Sequence, residues 1–507
     1  MPEFTDTSNQ MLERAPLLDR PMSLDRPTPL DLPEFLPYAC SQLQAPFALR
    51  LSVQLQDEYV SKIRDKPKPP KKSKSAKSTM HQHTSRTFDS TTKRDESASA
   101  AAPQFVDSDV FNDAIALAAV YDAAGHLVEL RFQRAPAVPR VLLKILAMCV
   151  PFHPLLGRLA VRWGPLAGDA LYEIAKFLPL SHITEICLDD SPVPECNYYL
   201  LLEEPSNLRS LSLARCSLDD RALELLAARL HHPLPAARSL RTLTLAANRI
   251  ADAGAAALAD ALRSNRTLQY LNLSGNRITD EGAGRLFGSL EEFSLTHDEI
   301  VATRRRRLEY LKLRDELAKK SYAELVAGER AQDEGGRQTA RRRQTTAGRG
   351  RKASVDRERR GLSLVAGART GPGHAGPLAL RAQAIAEELA GAYSDPFAAE
   401  ETVSRDGHVY SLGNATLCAL NLAYNELSYA SVLRLRAVLR AQAAQERGAG
   451  AGLMRVLLEG NALPGACRAL GDVEKLLEHA LAGRIARPQK EPTKHDRAVA
   501  KAKSRRY

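Results

Sequence analysis

The sequence predicts an α/β solenoid in which parallel strands line the concave face and helices line the convex face. The stretch LRTLTLAANRI, at 240–250, returns 28 residues later as LQYLNLSGNRI, at 268–278, and a helix-forming run follows each copy. Aromatic residues make up only 5% of the 507-residue chain, while hydrophobic residues make up 44%. The predicted core therefore consists of leucine and alanine stacked by repetition.

The template shared by these copies is L-x-x-L-x-L-x-x-N-x-L, and it fits further places in the chain. One strong copy has Cys216 in place of the asparagine, and three upstream copies are degenerate. Consecutive copies start 25 to 36 residues apart, apart from a single gap of 149 residues. The strong copies start at Leu208, Leu240, Leu268, Leu417 and Leu453, and the degenerate ones at Leu127, Leu156 and Ile183.

Each repeat has a physical rationale in its own residues. The three apolar positions of the strand point inward, the intervening positions face outward, and the asparagine bonds backbone groups at the turn. The run DAGAAALADALRSN, at 252–265, is predicted to be a helix with Asp252 as its N-cap. Its predicted inward stripe is Ala256, Leu258, Ala259 and Leu262.

The motif NRIADAGAAALADALRSNRTLQYLNLSGNRITDEGAGRLFGSL, at 248–290, resembles the ribonuclease-inhibitor type of leucine-rich repeat. The resemblance implies a protein that binds other proteins. Both a scaffold and a regulator or inhibitor of an enzyme or small GTPase use such repeats, so the two classes compete.

The basic charge divides the chain into regions. The net charge of +11 is concentrated in a Pro/Lys linker at 61–77, in the gap between repeats and in the C-terminal tail, which leaves the remainder acidic. We predict a mostly disordered region (1–107), repeats (108–290), a basic helical and disordered insertion (291–406), repeats (407–483) and a basic disordered tail (484–507). Within the insertion, helices are expected at 302–320 and 377–393 and disorder at 335–361.

The order of these regions carries a second resemblance. Degenerate early repeats, a strong pair, a basic insertion and a final pair introduced by LGNATLCALNLAYN (412–425) resemble the leucine-rich-repeat-containing protein 71 family. That family is linked with cilia and flagellar axonemes. The resemblance implies a cytoplasmic protein of the cilium, with axonemal or tubulin-associated partners that carry acidic surfaces.

The outward strand positions form the candidate interaction surface. These side chains are small and largely neutral, whereas tight inhibitors rely on aromatic and arginine anchors. The C-terminal tail is basic. The GTPase activator of Ran, a regulator with repeats of the same type, has an acidic tail. Both observations favour the scaffold. The candidate residues are Arg209, Arg241, Thr242, Gln269, Tyr270 and Asn272.

The sequence predicts no catalytic, cofactor or metal site and no membrane span. GPGHAG, at 371–376, lacks the flanking strand and helix of a dinucleotide site. The pairs of histidines at 81–83 and 231–232 have no further ligands at metal-binding spacing. The seven cysteines are scattered, and the three glycosylation sequons, at 265–267, 272–274 and 414–416, are interpreted as unmodified.

Two further predictions concern segments outside the repeats. Thr345 and Ser354 follow basic residues at the spacing that basophilic kinases favour, and are candidate phosphorylation sites. Residues 48–56, ALRLSVQLQ, alternate apolar and polar side chains and are predicted to form a strand. We expect this strand to cover a sheet edge, either at the repeat near Leu127 or in another protein.

Overall fold

A computed structural model describes residues 26–56, 114–133, 138–164, 166–344, 376–445, 451–465 and 467–485, without the side chains of 329–344. Contacts divide the chain into two compact units. The repeat unit comprises Met1–Leu290 and Asn414–Tyr507, and the insertion unit comprises Glu291–Gly413.

The described strands form two sheets. A ten-stranded sheet in the repeat unit has the order β1-β2-β3-β4-β5-β6-β7-β8-β12-β13, and the insertion unit has a small sheet of order β10-β11-β9. In chain order they are β1 (Leu49–Leu55), β2 (Ile115–Tyr121), β3 (Leu127–Gln133), β4 (Arg158–Arg162), β5 (Glu185–Cys187), β6 (Ser210–Ser212), β7 (Thr242–Thr244), β8 (Tyr270–Asn272), β9 (Phe293–Ser294), β10 (Thr402–Arg405), β11 (His408–Ser411), β12 (Ala419–Asn421) and β13 (Arg455–Leu457).

The described helices alternate with the repeat strands or belong to the insertion. In chain order they are α1 (Leu32–Gln42), α2 (Arg140–Cys149), α3 (Gly168–Phe177), α4 (Asp220–Ala228), α5 (Ala236–Ser239), α6 (Asp252–Ser264), α7 (Asp280–Gly288), α8 (His297–Gln344), α9 (Pro377–Ala390), α10 (Tyr429–Ala444) and α11 (Arg468–Ile485). Between β5 and β6 a short 3-10 helix, Tyr198–Leu202, takes the place of an α-helix.

The strands at all eight predicted repeat starts lie side by side in chain order. Every neighbouring pair in the large sheet is parallel except β2 and β3, which form an antiparallel hairpin that the template does not predict. β8 pairs directly with β12, so that Leu271 lies opposite Leu420. The prediction that the repeats continue across the 149-residue gap in one sheet is therefore confirmed.

The template leucines form a continuous core along the sheet. Leu243, Leu271 and Leu420 are fully buried at equivalent positions of three adjacent strands, and the helices cover them. On α6 the predicted stripe is buried except for Ala256, which is half-buried. Ala255 is buried instead, so the inward stripe of α6 contains Ala255 in place of Ala256.

The N-terminal strand docks on the sheet edge as predicted, but on a different partner. β1 pairs in parallel with β2 over its whole length and makes no pairing with the strand that begins at Leu127. Helix α1 buries Leu32 and Leu36 in the common core. Residues 26–56 are thus an exception to the predicted disorder of 1–107.

The insertion unit contains more regular structure than the sequence predicts. α8 is much longer than the expected helix at 302–320 and runs into the stretch 335–361 for which disorder was expected. α8 packs against α9. A salt bridge also joins α8 to the segment that follows α9. Arg306 Nε lies 2.6 Å from Oδ2 of Asp395, whose side chain is fully buried. Tyr310 donates a hydrogen bond to the carbonyl of Gly391 at 2.8 Å.

Candidate interaction face of the repeat sheet

The six candidate residues line strands β6 to β8. Thr242, Tyr270 and Asn272 alternate with the buried leucines within β7 and β8, and Arg209, Arg241 and Gln269 each stand one residue before a strand. We call the surface that these residues line the open face. Arg209, Arg241 and Gln269 are exposed, and Thr242, Tyr270 and Asn272 are half-buried. Over β6, β7, β8, β12 and β13, the open face comprises Arg209, Ser210, Ser212, Arg241, Thr242, Thr244, Gln269, Tyr270, Asn272, Cys418, Ala419, Asn421, Met454, Arg455 and Leu457.

The strand register arranges these side chains in rows. The amide of Arg241 donates to the carbonyl of Arg209, and the amide of Gln269 donates to the carbonyl of Arg241, each at 2.8 Å. Arg209, Arg241 and Gln269 therefore occupy successive places in one row at the start of the strands, spaced about 4.8 Å apart. Thr242 and Tyr270 lie opposite each other in the next row.

This part of the open face carries arginine side chains but no acidic side chains. None of its fifteen residues is acidic, and Arg209, Arg241 and Arg455 are exposed. Within the described parts of the chain, these three side chains make no ion pair. Arg455 was not among the predicted site residues, although it fills the same template position as Ser210 and could have been found from the repeat alignment. Twelve of the fifteen side chains are uncharged, so the largely neutral character expected from the sequence is seen here, with the three arginines as the only charged residues among them.

The neighbouring part of the same face, on β3 to β5, is charged but self-compensating. Arg131 lies 2.7 Å from Glu129. Arg158 lies 3.7 Å from both Glu129 and Glu185. Opposite charges in contact leave little net field, so this part of the face has less attraction for a charged partner.

Amide groups add hydrogen-bond donors to the arginine-rich part. The side-chain oxygens of Asn272 and Asn421 accept from the amides of Ser274 and Ala423, each at 3.0 Å. That contact fixes each side chain so that its amide nitrogen is left to donate. Guanidinium and amide donors in this arrangement suit carboxylate groups on a partner.

A ladder of asparagines holds the turns beyond the strands, as the sequence predicts. Asn276 accepts from the amide of Ile250 at 3.1 Å and donates to the carbonyls of Leu245 and Leu273 at 3.0 and 2.9 Å. Each asparagine thus joins its own repeat to the preceding one. The equivalent residues are Asn248, Asn276, Asn425 and Asn461.

Where Cys216 replaces the asparagine, a second residue supplies the missing acceptor. The Cys216 thiol donates to the carbonyl of Leu188 at 3.1 Å, but sulfur is a weak acceptor. The buried Tyr198 hydroxyl accepts from the amide of Val193 at 2.9 Å and donates to the carbonyl of Ser191 at 2.8 Å. Sequence reasoning missed Tyr198, since it lies in the irregular segment between β5 and β6.

Asp252 is not the N-cap of its own helix, contrary to the prediction. Its carboxylate accepts from the amides of Thr279 and Gly282 at 2.8 and 3.0 Å, at the start of the next helix, α7. Asp220 does the same for α6, by accepting from the amides of Ala251 and Gly254. Each aspartate stands at the first position of a helix, which places it beside the helix of the following repeat.

In two of the three glycosylation sequons, the asparagine has a structural role in the core. Asn265 and Asn414 are 1% and 0% exposed. Asn265 donates to the carbonyl of Leu230 at 2.8 Å, and Asn414 donates to that of Leu262 at 2.9 Å. Their amide groups are therefore engaged in the core, where no glycan could be attached.

The described residues contain no group of three or more histidine, cysteine or acidic side chains that could hold a metal ion. Burial raises the pKa of Cys149 to about 12 and that of Cys216 to about 11, so both thiols are protonated near neutral pH. No helix in the described ranges is long and apolar enough to cross a membrane. Thr345, Ser354, the histidines at 81–83 and most of GPGHAG lie outside the described residues.

Comparison with protein families agrees with the repeat geometry. A family model described as Leucine Rich repeat matches residues 236–259 and 264–287, which cover β7, most of α6, β8 and most of α7. No curated protein matches the chain. The matched segments, together with the parallel sheet and the asparagine ladder, support a leucine-rich repeat protein.

Proposed function

We propose that this protein is a non-catalytic scaffold whose open face, from β6 to β13, binds an acidic segment of a partner protein. One observation carries the proposal. Arg209, Arg241 and Arg455 are exposed among the fifteen residues of the open face, none of which is acidic. Complementary charge accelerates association and selects partners.

The proposal extends to where the scaffold acts. The order of strong repeats, insertion and final repeats resembles a family linked with cilia, and an axonemal or tubulin-associated protein with an acidic surface would suit the arginine row. We propose that the repeats form a curved solenoid in the ciliary axoneme, with the open face as its concave side.

Charge reversal on the open face tests the binding part of this proposal. A fluorescent oligoglutamate peptide serves as the probe, and fluorescence anisotropy measures its affinity for the full chain. We expect the double variant R209E/R241E to weaken binding about tenfold or more, since each exposed ion pair contributes about 0.2–1 kcal/mol and reversal adds repulsion.

A matched variant controls for net charge. Arg221 and Arg285 are also exposed, but they lie on α4 and α7, in the helix layer. R221E/R285E changes the net charge by the same amount and is expected to bind the probe nearly as the wild type does. Equal losses in the two double variants, or no binding by the wild type, would refute the open face as the site.

The cellular part needs a separate measurement. In ciliated cells, the tagged wild-type protein is expected to co-sediment with demembranated axonemes, and R209E/R241E is expected to be depleted from that fraction. A wild-type protein absent from cilia would contradict the axonemal role without bearing on the charge of the open face.

A further inference from the structure

The edge of the large sheet at β1 has the features of an assembly site. β1 is seven residues long and is the terminal strand of the sheet order. Among the residues that the structure describes, no strand pairs with its outer side. Edge strands of monomeric proteins are usually short or carry charged side chains, above all lysine, or proline, which discourage pairing. LRLSVQL has no lysine or proline, and Arg50 is its single charged residue.

Apolar side chains are exposed at this edge. Leu49 and Leu51 pack against the core, but Val53 and Leu55, on the same face of the strand, are 59% and 49% exposed. The apolar side of β1 therefore extends beyond the helix layer that covers the rest of the sheet. Covering these side chains would remove apolar surface from water, which favours association.

The pairing with β2 determines which backbone groups face outward. The amide of Ile115 donates to the carbonyl of Ala48 at 2.8 Å. In a parallel pair, alternate residues direct both their N–H and C=O groups to the neighbouring strand. The even-numbered residues of β1 therefore face β2. The N–H and C=O groups of Leu49, Leu51, Val53 and Leu55 face the outer edge.

We infer that this edge binds β1 of a second copy of the same chain, antiparallel and about a twofold axis at Ser52. In that register Leu51 lies opposite Val53, and Leu49 lies opposite Leu55. Both pairs join outward-facing residues, and each pair recurs across the axis. Four pairs that exchange two bonds each give about eight hydrogen bonds.

Side-chain complementarity also favours a second copy. Every apolar residue of the strand meets another apolar residue, and Arg50 meets Gln54 rather than a second arginine, so no like charges are opposed. Registers centred on Leu51 or Val53 leave one outward-facing residue of each strand without a partner. A twofold axis makes the interface self-complementary, as in most homodimers. The two ten-stranded sheets would then be continuous.

Proline at an outward-facing position of β1 should prevent dimer formation without disturbing the fold of one chain. Val53→Pro removes an N–H that points away from β2, a place where edge strands tolerate proline. Val53→Thr keeps that N–H and the β-branched shape. By sedimentation, we expect the wild type and V53T to have about twice the 55.5 kDa mass of one chain. V53P is expected to have the mass of one chain, with an unchanged circular dichroism spectrum.

Cysteine cross-linking tests the register and does not depend on how V53P folds. At the twofold axis the two Ser52 Cα atoms would lie about 4.5 Å apart, within disulfide range. In Val53→Cys the two cysteines would be about 8 Å apart, beyond that range. Under mild oxidation we expect S52C, but neither V53C nor the wild type, to give a covalent dimer.

The remaining outcomes overturn the proposal. A wild-type chain that is monomeric at tens of micromolar means that another segment of this chain covers the edge, or that only a different protein does. A dimer that persists in V53P and does not cross-link through S52C uses another surface.

Discussion

Removal of one ladder asparagine, Asn276→Ala, tests how the repeats are held together. The carbonyls of Leu245 and Leu273 each keep a second donor, from Asn248 and Asn425 at 2.9 and 3.0 Å. The amide of the buried Ile250 loses the acceptor that the structure gives it. This amide dominates the effect.

The magnitude follows from these contacts. An unsatisfied buried N–H costs about 1–3 kcal/mol, and each lost hydrogen bond about 1 kcal/mol. We expect a loss of about 3 kcal/mol, or about 100-fold in the local opening equilibrium. Asn276→Cys is expected to cost nearly as much, because its thiol can donate but no tyrosine stands in for the acceptor as Tyr198 does beside Cys216.

Hydrogen exchange followed by mass spectrometry is the suitable assay, since repeat proteins open locally and one global free energy does not describe them. Peptides that contain Ile250 and residues 270–273 should exchange faster in N276A. Arg277→Ala, at the exposed neighbouring position, should leave exchange unchanged. If N276A and R277A cannot be distinguished, or if N276C exchanges as the wild type does, the acceptor role of the asparagine is wrong.

Three further predictions concern a core leucine and two carboxylates with defined partners. Leu271→Asp places an unpaired charge in the core, costs several kcal/mol and should abolish the cooperative thermal unfolding of the repeats. Burial raises the pKa of Asp280, but hydrogen bonds from Ser428 and Ser431 outweigh it and lower the pKa overall. The stabilisation that this carboxylate gives is present above its unfolded-state pKa and is lost as pH falls through its folded-state pKa. After correction for intrinsic rates, hydrogen exchange at the start of α10 should therefore become faster below about pH 4 in the wild type but not in D280N. Arg306→Ala removes the guanidinium from the buried Asp395 carboxylate and should destabilise the insertion unit by about 3 kcal/mol, so that limited proteolysis cleaves residues 376–413 faster than in Arg304→Ala.

The sequence by itself determined the repeats and their stacking. The spacing of Leu240, Leu243 and Leu245, followed by Asn248, lies within one short segment, and each such segment has a single way to bury its leucines. Because every strand copies this template, its register against its neighbours follows, including the pairing of β8 with β12 across the insertion. The outward positions within β6, β7 and β8, such as Thr242, Tyr270 and Asn272, fall on one face for the same reason.

Only the tertiary structure decided the features that depend on contacts between different repeats or regions. Asp252 looks like the cap of its own helix, and its place beside α7 depends on how two helices stack. Tyr198 supports the turn near Cys216 from an irregular segment that no period marks. The amphipathic pattern of β1 predicted a strand, but its pairing with β2 required two segments separated by 59 residues to meet. Such contacts leave no local pattern, because the residues that make them are distant in the chain and constrained only by the folded geometry.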